Sequence, residues 1–266
     1  MSDYIIGDVQ GCYDSLINLL DKIHFSSDKD RIFFLGDIVN RGPDSLKTLR
    51  FIVNLEDNAN MVIGNHDFHL IACALGSKRQ NKKDTFSDIL QAKDKHKLID
   101  FLLSKPLVIA ENDALLVHAG IPPNWDRNIT LSKSLMVQRK LQANNVSEFI
   151  TNMYSNEPTK WSNDLDDIDD CRYTINALMR MRFCKQDGTL EFKNKGNCNS
   201  APMGYKAWFL YNNRLLNDSD IFFGHWSTLS NINKKHIYPV DSGCVWGGKL
   251  NAIRISDKKL YSVNCN

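Results

Sequence analysis

Five short apolar runs in this 266-residue chain each stop at a side chain able to hold a metal or move a proton. They read "YIIGDVQG", "RIFFLGDIVNRG", "MVIGNHD", "ALLVHAG" and "IFFGHW", and they deliver Asp8, Asp37, Asn65, His118 and His225. Singly, each has an ordinary explanation. An aspartate after glycine caps a helix, and a lone histidine is a hydrogen-bonded core residue. One arrangement repeated five times is another matter. Carboxylate, amide and imidazole together suit Mn2+, iron or Zn2+ rather than a thiolate-seeking ion. Two ions ~3.5–4 Å apart are the usual device for cleaving phosphate esters and anhydrides.

Asp8 and Gln10, two apart on an extended segment, point the same way and can share a target. The glutamine carbonyl is a weaker, harder donor than imidazole, which favours Mn2+ or Mg2+ over Zn2+. Direct ligation and contact through a metal-bound water both remain open for Gln10.

The elements that carry these residues alternate. Runs rich in Ile, Val, Phe and Leu read as buried strands. Between them, Asp14 is expected to cap a helix bearing Leu16, Leu19, Leu20 and Ile23. Asp44 precedes a second with Leu46, Leu49, Ile52 and Val53, and "DFHLIACAL" reads as a third. Strand–helix alternation predicts an α/β fold, with its site at strand carboxyl ends. "HIYPV", "KLNAIRIS" and "KLYSV" read as a second sheet closing on the first. Residues 119–224 read as helices and loops over the mouth of the site. Their acidic stretch "WSNDLDDIDD" lacks the glycine and glutamate of a calcium loop and reads as solvated surface.

A formal charge of +2 with scattered lysines gives no footprint for duplex DNA. No apolar stretch approaches the ~20 residues of a membrane helix. Seven cysteines, odd in number and without a CxxC pair, predict reduced thiols and a cytoplasmic protein. Cys244 reads as a structural thiol.

In order, "GDVQG", "GDIVNRG", "GNHD", "HAG" and "GHW" resemble the signature blocks of the two-metal metallophosphatases, which include the phosphoprotein phosphatases. "GIPPNWD", "NALMRMRFC", "KAWF" and "DSGCVWGG" resemble those of one bacterial branch, the symmetrical bis(5'-nucleosyl)-tetraphosphatases or diadenosine tetraphosphatases. The likeness runs from about Tyr4 to Val263. It implies one catalytic domain over 1–266, built as two mixed β-sheets packed as a sandwich flanked by helices. Two divalent cations are implied, Mn2+ first, with Co2+ and Mg2+ as alternatives. Asp8 would ligate the first, Asp37 would bridge both, and Asn65, His118 and His225 would complete the second, with a shared hydroxide as nucleophile.

By the same likeness His66 is the general acid and Arg41 grips phosphoryl oxygens. Asn40 stands where protein phosphatases carry a second aspartate. It is expected to orient His66 by accepting its ring N–H while adding no charge, which fits a good anhydride leaving group. Arg180 and Arg182 would grip the phosphate chain if they point one way; a surface ion-pair role is the alternative. Tyr13, Trp125, Trp161, Trp208 and Trp226 are candidates to stack on adenine, with Trp226 foremost because it follows His225. The implied reaction is hydrolysis of diadenosine tetraphosphate to two ADP. Nucleoside-tetraphosphate caps on RNA 5' ends are a further implied target. The alternatives are a Ser/Thr phosphoprotein phosphatase on the same metals, and a non-catalytic metal-binding protein.

Overall fold

Burial in the first strand is consecutive rather than alternating, with Tyr4, Ile5 and Ile6 all inside. Continuous apolar runs of this kind belong to parallel strands covered on both faces. The computed structural model describes residues 2–229 and 232–265. In chain order the elements are β1 (Ser2–Ile6), α1 (Tyr13–Lys22), β2 (Asp30–Phe34), α2 (Ser45–Asn54), β3 (Ala59–Met61), α3 (Asn65–Ala74), α4 (Ser87–Gln91) and α5 (Lys95–Leu103). Then come β4 (Val108–Glu111), β5 (Ala114–Val117), α6 (Arg127–Leu141), α7 (Val146–Asn152), α8 (Asp167–Arg180), β6 (Phe183–Cys184) and β7 (Leu190–Glu191). The chain finishes with β8 (Lys206–Ala207), β9 (Ile221–Phe223), β10 (Ile237–Pro239), β11 (Lys249–Arg254) and β12 (Leu260–Asn264). Two compact units result, Met1–Lys105 with Val240–Asn266, and Pro106–Pro239.

The first unit holds a mixed five-stranded sheet in the order β12-β11-β1-β2-β3. Strands β1, β2 and β3 are parallel, and their registers set Ile6, Phe34 and Met61 side by side. Parallel neighbours need crossovers, and α1 and α2 supply them. Helix α1 begins at Tyr13, so Asp14 sits inside its first turn and Cys12 takes the cap position expected of Asp14. Asp14 still helps there, since a negative charge in the first turn complements the helix dipole. Asp44 does occupy the cap position of α2.

The tail departs from the expected separate sheet. Strands β11 and β12 form an antiparallel hairpin on the β1 edge of the first sheet, whereas β10 pairs with β9 in the second unit. The expectation of reduced cysteines fails at one pair as well, because Cys244 and Cys265 form a disulfide. The cause is local. The Cys265 N–H donates to the Gly248 carbonyl at 2.9 Å, which lays the end of the chain against the turn that carries Cys244.

The second unit holds a mixed four-stranded sheet, β10-β9-β5-β4, and a small sheet, β7-β6-β8. In the larger sheet β5 and β9 are parallel, with Val117 beside Phe223. The acidic stretch is more than solvated surface. Asp166 caps α8 by accepting the Asp169 N–H at 2.8 Å, and Asp167, Asp169 and Asp170 fill its first turn. Asp126 of "NWD" likewise caps α6, accepting the Ile129 N–H at 2.7 Å. Lys133 and Lys140 of α6 then pair with Asp170 and Asp167 of α8. Charges that looked redundant in sequence therefore start one helix and clasp it to another. No described helix is long and apolar enough to cross a membrane.

Candidate functional site

In the first unit the sheet register carries the arrangement. Ile6, Phe34 and Met61 end level with one another, and Asp8, Asp37 and Asn65 follow them by two, three and four residues. The loops are tied by backbone bonds, Gln10 N–H to the Asp37 carbonyl and Gly11 N–H to that of Ile38, both at 2.8 Å. Asp8, Gln10 and Asp37 are buried, at 4%, 8% and 2% exposure. Burying carboxylates is costly unless donors or a cation answer the charge. Two buried carboxylates, on loops that also carry Gln10 and Asn65, are the residue types that fit a hard divalent cation.

Backbone strain gathers at the same place. Gln10, Asp37, Asn40 and Arg41 have φ of 46°, 48°, 81° and 68°. Left-handed non-glycine residues cost of order 1–3 kcal/mol each and persist only where their surroundings force them. At Asp37 the force comes largely from Asp67. Its buried carboxylate accepts the N–H groups of Asp37 at 2.7 Å, Ile38 at 2.9 Å and Gly64 at 3.0 Å. The first turn of α3 adds the His66 N–H, which donates to Asp37 Oδ1 at 2.7 Å.

His66 is held at Nδ1 and faces a carboxylate at Nε2. Its Nε2 lies 3.9 Å from Asp37 Oδ2, and its Nδ1 lies 3.0 Å from Asn40 Nδ2. The sense of the Asn40 amide follows from its other partners. Oδ1 accepts the Arg41 and Thr85 N–H groups at 2.8 and 3.1 Å, and Nδ2 donates to Asp84 Oδ1 at 3.0 Å. The remaining N–H therefore donates to His66 Nδ1, and a neutral His66 carries its proton on Nε2. This reverses the expectation that Asn40 accepts a ring N–H. The oxygen needed for that is already engaged by backbone. Arg41 donates from Nη1 to the Lys83 carbonyl at 2.8 Å and lies 3.6 Å from Asp84. Cys12 is close in sequence, but burial first and Asp44 second push its thiol up to about 11, which removes it as a nucleophile.

In the second unit the level ends of β5 and β9 present His118 and His225 one and two residues later. Gly224 N–H donates to the His118 carbonyl at 2.9 Å, and the two rings stand edge-on with centroids 5.0 Å apart. His118 is fully buried and His225 has φ 64°. Two imidazoles at this spacing suit a first-row divalent ion. Arg182 Nη2 donates to the His225 carbonyl at 3.0 Å.

Arg180 takes a different direction from Arg182. It closes α8, donates to Asn176 and Asn156 at 2.6 and 2.9 Å, and lies 4.6 Å over the Phe192 ring. The chain turns extended at Met181, so the pair does not share the common heading required for a joint grip. Trp226 is not a stacking surface: it is 2% exposed, donates to the Gly196 carbonyl at 2.8 Å and packs on Phe183 at 4.9 Å. Trp125 and Trp208 are likewise core. Trp161 meets Trp125 edge-on, and half-buried Tyr13 lies under Lys47 Nζ at 3.9 Å. The residues that sequence reasoning missed are Asp67 and Asp84. The first was visible in "GNHD"; the second sits in a charged loop that gives no signal.

Residues 4–188 match the calcineurin-like phosphoesterase family. A protein of Methylococcus capsulatus named "Bis(5'-nucleosyl)-tetraphosphatase, symmetrical" is 46% identical over 255 residues, 96% of this chain and 92% of its own. One of the same name from Marinomonas sp. is 41% identical over 269 residues, 100% and 98% of the two chains. A solved structure described as a candidate diadenosine tetraphosphatase shares the fold, with a TM-score of 0.67 at 21% identity, over 100% of this chain and 94% of that one. With strand ends, donor types and full-length likeness in agreement, the chain belongs to the calcineurin-like phosphoesterases, among the symmetrical bis(5'-nucleosyl)-tetraphosphatases.

Proposed function

We propose that this chain hydrolyses diadenosine 5',5'''-P1,P4-tetraphosphate symmetrically to two ADP, with both units serving one catalytic domain over 1–266. The observation that carries the reading is the full-length likeness to relatives bearing that name, 41% and 46% identical. By the full-length likeness we assign Asp37, His118 and His225 to one divalent cation, and Asp37 again together with Asp8, Gln10 beside it, to a second. Asn65 joins the first group. Mn2+ is the ion we favour. Such ions, when bound, neutralise phosphoryl oxygens and acidify a water. The chain's own part is positional. Arg41, anchored on the 83–84 segment, offers a planar charged fork to phosphoryl oxygens. His66 offers the Nε2 proton to the leaving phosphate oxygen, its ring held from behind by Asn40. Arg182, fixed to the His225 backbone, is the better placed arginine for the phosphate chain.

Two ADP should be the sole products from diadenosine tetraphosphate with Mn2+, Co2+ or Mg2+ supplied. Chromatography of the products tests this, with a phosphoserine peptide run in parallel. ATP plus AMP, or release of phosphate from the peptide alone, overturns the reading. We place the enzyme in the cytoplasm with a small dinucleotide as partner; five of its cysteines are free, and the Cys244–Cys265 bond is the feature that argues against that compartment.

Gln10→His should lower the Mn2+ concentration for half-activation by about tenfold, because imidazole is the stronger donor to a first-row ion. Superimposable activation curves for wild type and variant would remove Gln10 from the metal's surroundings.

A further inference from the structure

The Asp84 side chain is 1% exposed although it belongs to a charged surface segment, "NKKDTF". One of its carboxylate oxygens faces the His66 assembly through Asn40, while the other is held by its own segment and α3. Oδ1 accepts from Asn40 Nδ2 at 3.0 Å, and Oδ2 lies 2.9 Å from His69 Nε2 and 2.7 Å from the Asn81 N–H. Burial alone would raise this carboxyl; the bonds from Asn40, Asn81 and His69 outweigh it and hold the group below the ordinary carboxylate range. Its next residue, Thr85, donates its N–H to Asn40 Oδ1 at 3.1 Å. The 84–85 segment thus grips both ends of one amide.

We propose that Asp84 is a positioning residue for phosphate-anhydride cleavage, fixing the sense of the Asn40 amide and through it the Nε2–H tautomer of His66. An amide can present either its oxygen or its nitrogen to a ring, and the two ends nearly superimpose in shape. A buried carboxylate against Nδ2 breaks that symmetry, because the flipped amide would set oxygen against oxygen. The inference also gives a reason for asparagine at 40. With a carboxylate at 84 already 3.0 Å away, an aspartate at 40 would bury two negative charges in contact. This rests on the proposed hydrolytic role of His66, and it stands apart from the identity of the substrate.

The test uses nitrogen-15 NMR of the imidazoles in the Mg2+-loaded enzyme at about pH 8.5, where imidazole is neutral, with His66→Gln to assign the signal. Wild type should show His66 protonated at Nε2. Asp84→Ala should move the proton toward Nδ1 and lower kcat by about 10- to 100-fold, the usual loss for an outer partner. KM should change less than about threefold, since Arg41 keeps its bond to the Lys83 carbonyl. Should Asp84→Ala not fold, the exchange variant decides. Asn40→Asp alone should lose about tenfold or more in kcat, and Asn40→Asp with Asp84→Asn should recover most of it, because the charge and the amide have only traded places. An unchanged His66 signal with kcat within twofold in Asp84→Ala, or no recovery in the double variant, overturns the proposal. Failure of the dinucleotide assay leaves the tautomer reading intact, so the two ideas fail separately.

Discussion

Asp37→Asn is expected to reduce turnover by at least about 1,000-fold while leaving the fold intact. The substitution keeps shape and keeps an oxygen for the His66 N–H, which now bonds Oδ1 at 2.7 Å. What it removes is one negative charge from a buried position, 2% exposed. Hard divalent ions are held by charge as much as by geometry, and a neutral amide is a poor substitute at a position proposed to serve both ions. Cleavage of a phosphate anhydride depends on such charge stabilisation for most of its acceleration. The metal-free variant should melt at or slightly above the wild-type temperature, because a desolvated carboxylate has been relieved. The rise in melting temperature that Mn2+ gives the wild type should shrink, since ligand stabilisation scales with affinity. Elemental analysis after gel filtration should show fewer ions per chain. Activity within tenfold of wild type, with full metal content, would exclude Asp37 as a ligand.

Much of this site is legible in sequence because strand ends are. An apolar run that stops at glycine and then offers Asp, Asn or His announces both a strand and its rim, and the registers of β1, β2 and β3 turn that pattern into proximity. What sequence hides is anything that depends on which face a residue takes. Trp226 is adjacent to His225, and that adjacency argued for a place at the ligand. Strand β9 has already ended and His225 takes a left-handed φ of 64°, so the backbone turns between the two residues and Trp226 enters the core against Phe183 and Phe209. Arg180 and Arg182 fail by the same kind of reasoning, since the helix ends between them.

Longer-range pairing is hidden for a different reason. Asp84 lies 44 residues from Asn40 in a run that reads as solvated charge, and nothing local marks it as the residue that turns inward. Cys244 and Cys265 are 21 apart with no spacing motif, and only the β11–β12 hairpin brings them together. Backbone strain is equally silent. The left-handed conformations of Gln10, Asp37 and Arg41 contradict their propensities; Asp67 holds the Asp37 turn, the Asp37 carbonyl takes the Gln10 N–H, and Asn40 Oδ1 takes that of Arg41. Such conflicts between local preference and final structure concentrate at functional sites. Among the described residues, five of the ten non-glycine positions with positive φ, Gln10, Asp37, Asn40, Arg41 and His225, are proposed site residues.

Gly64→Ala should then cost turnover on the order of 100-fold, through sterics alone. Gly64 has φ −95° and ψ 171°, ordinary extended values that any residue adopts. At this cap position alanine is the poorer helix start, a cost of about 1 kcal/mol in stability that by itself leaves the chemistry untouched. Space decides otherwise. A Cβ at Gly64 would fall 2.2 Å from Asp37 Oδ1 and 2.3 Å from the Asp37 nitrogen. Neither is the free end of a flexible chain, because Asp67 pins the nitrogen and His66 pins the carboxylate. The methyl group must push the Asp37 turn away, at a cost of about 1–3 kcal/mol for overpacking, and misplacing a reacting group by about 1 Å costs on the order of 100-fold in rate. Gly76→Ala supplies the contrast. Gly76 has φ +77° and nothing within 4 Å of an added Cβ. That variant should lose about 1–2 kcal/mol from left-handed strain yet keep wild-type kcat. Melting curves and kcat measured on both variants separate the cases, for only a methyl aimed at Asp37 can take activity further than stability. Equal loss of kcat in the two would mean that the Asp37 turn has no special claim on the chemistry.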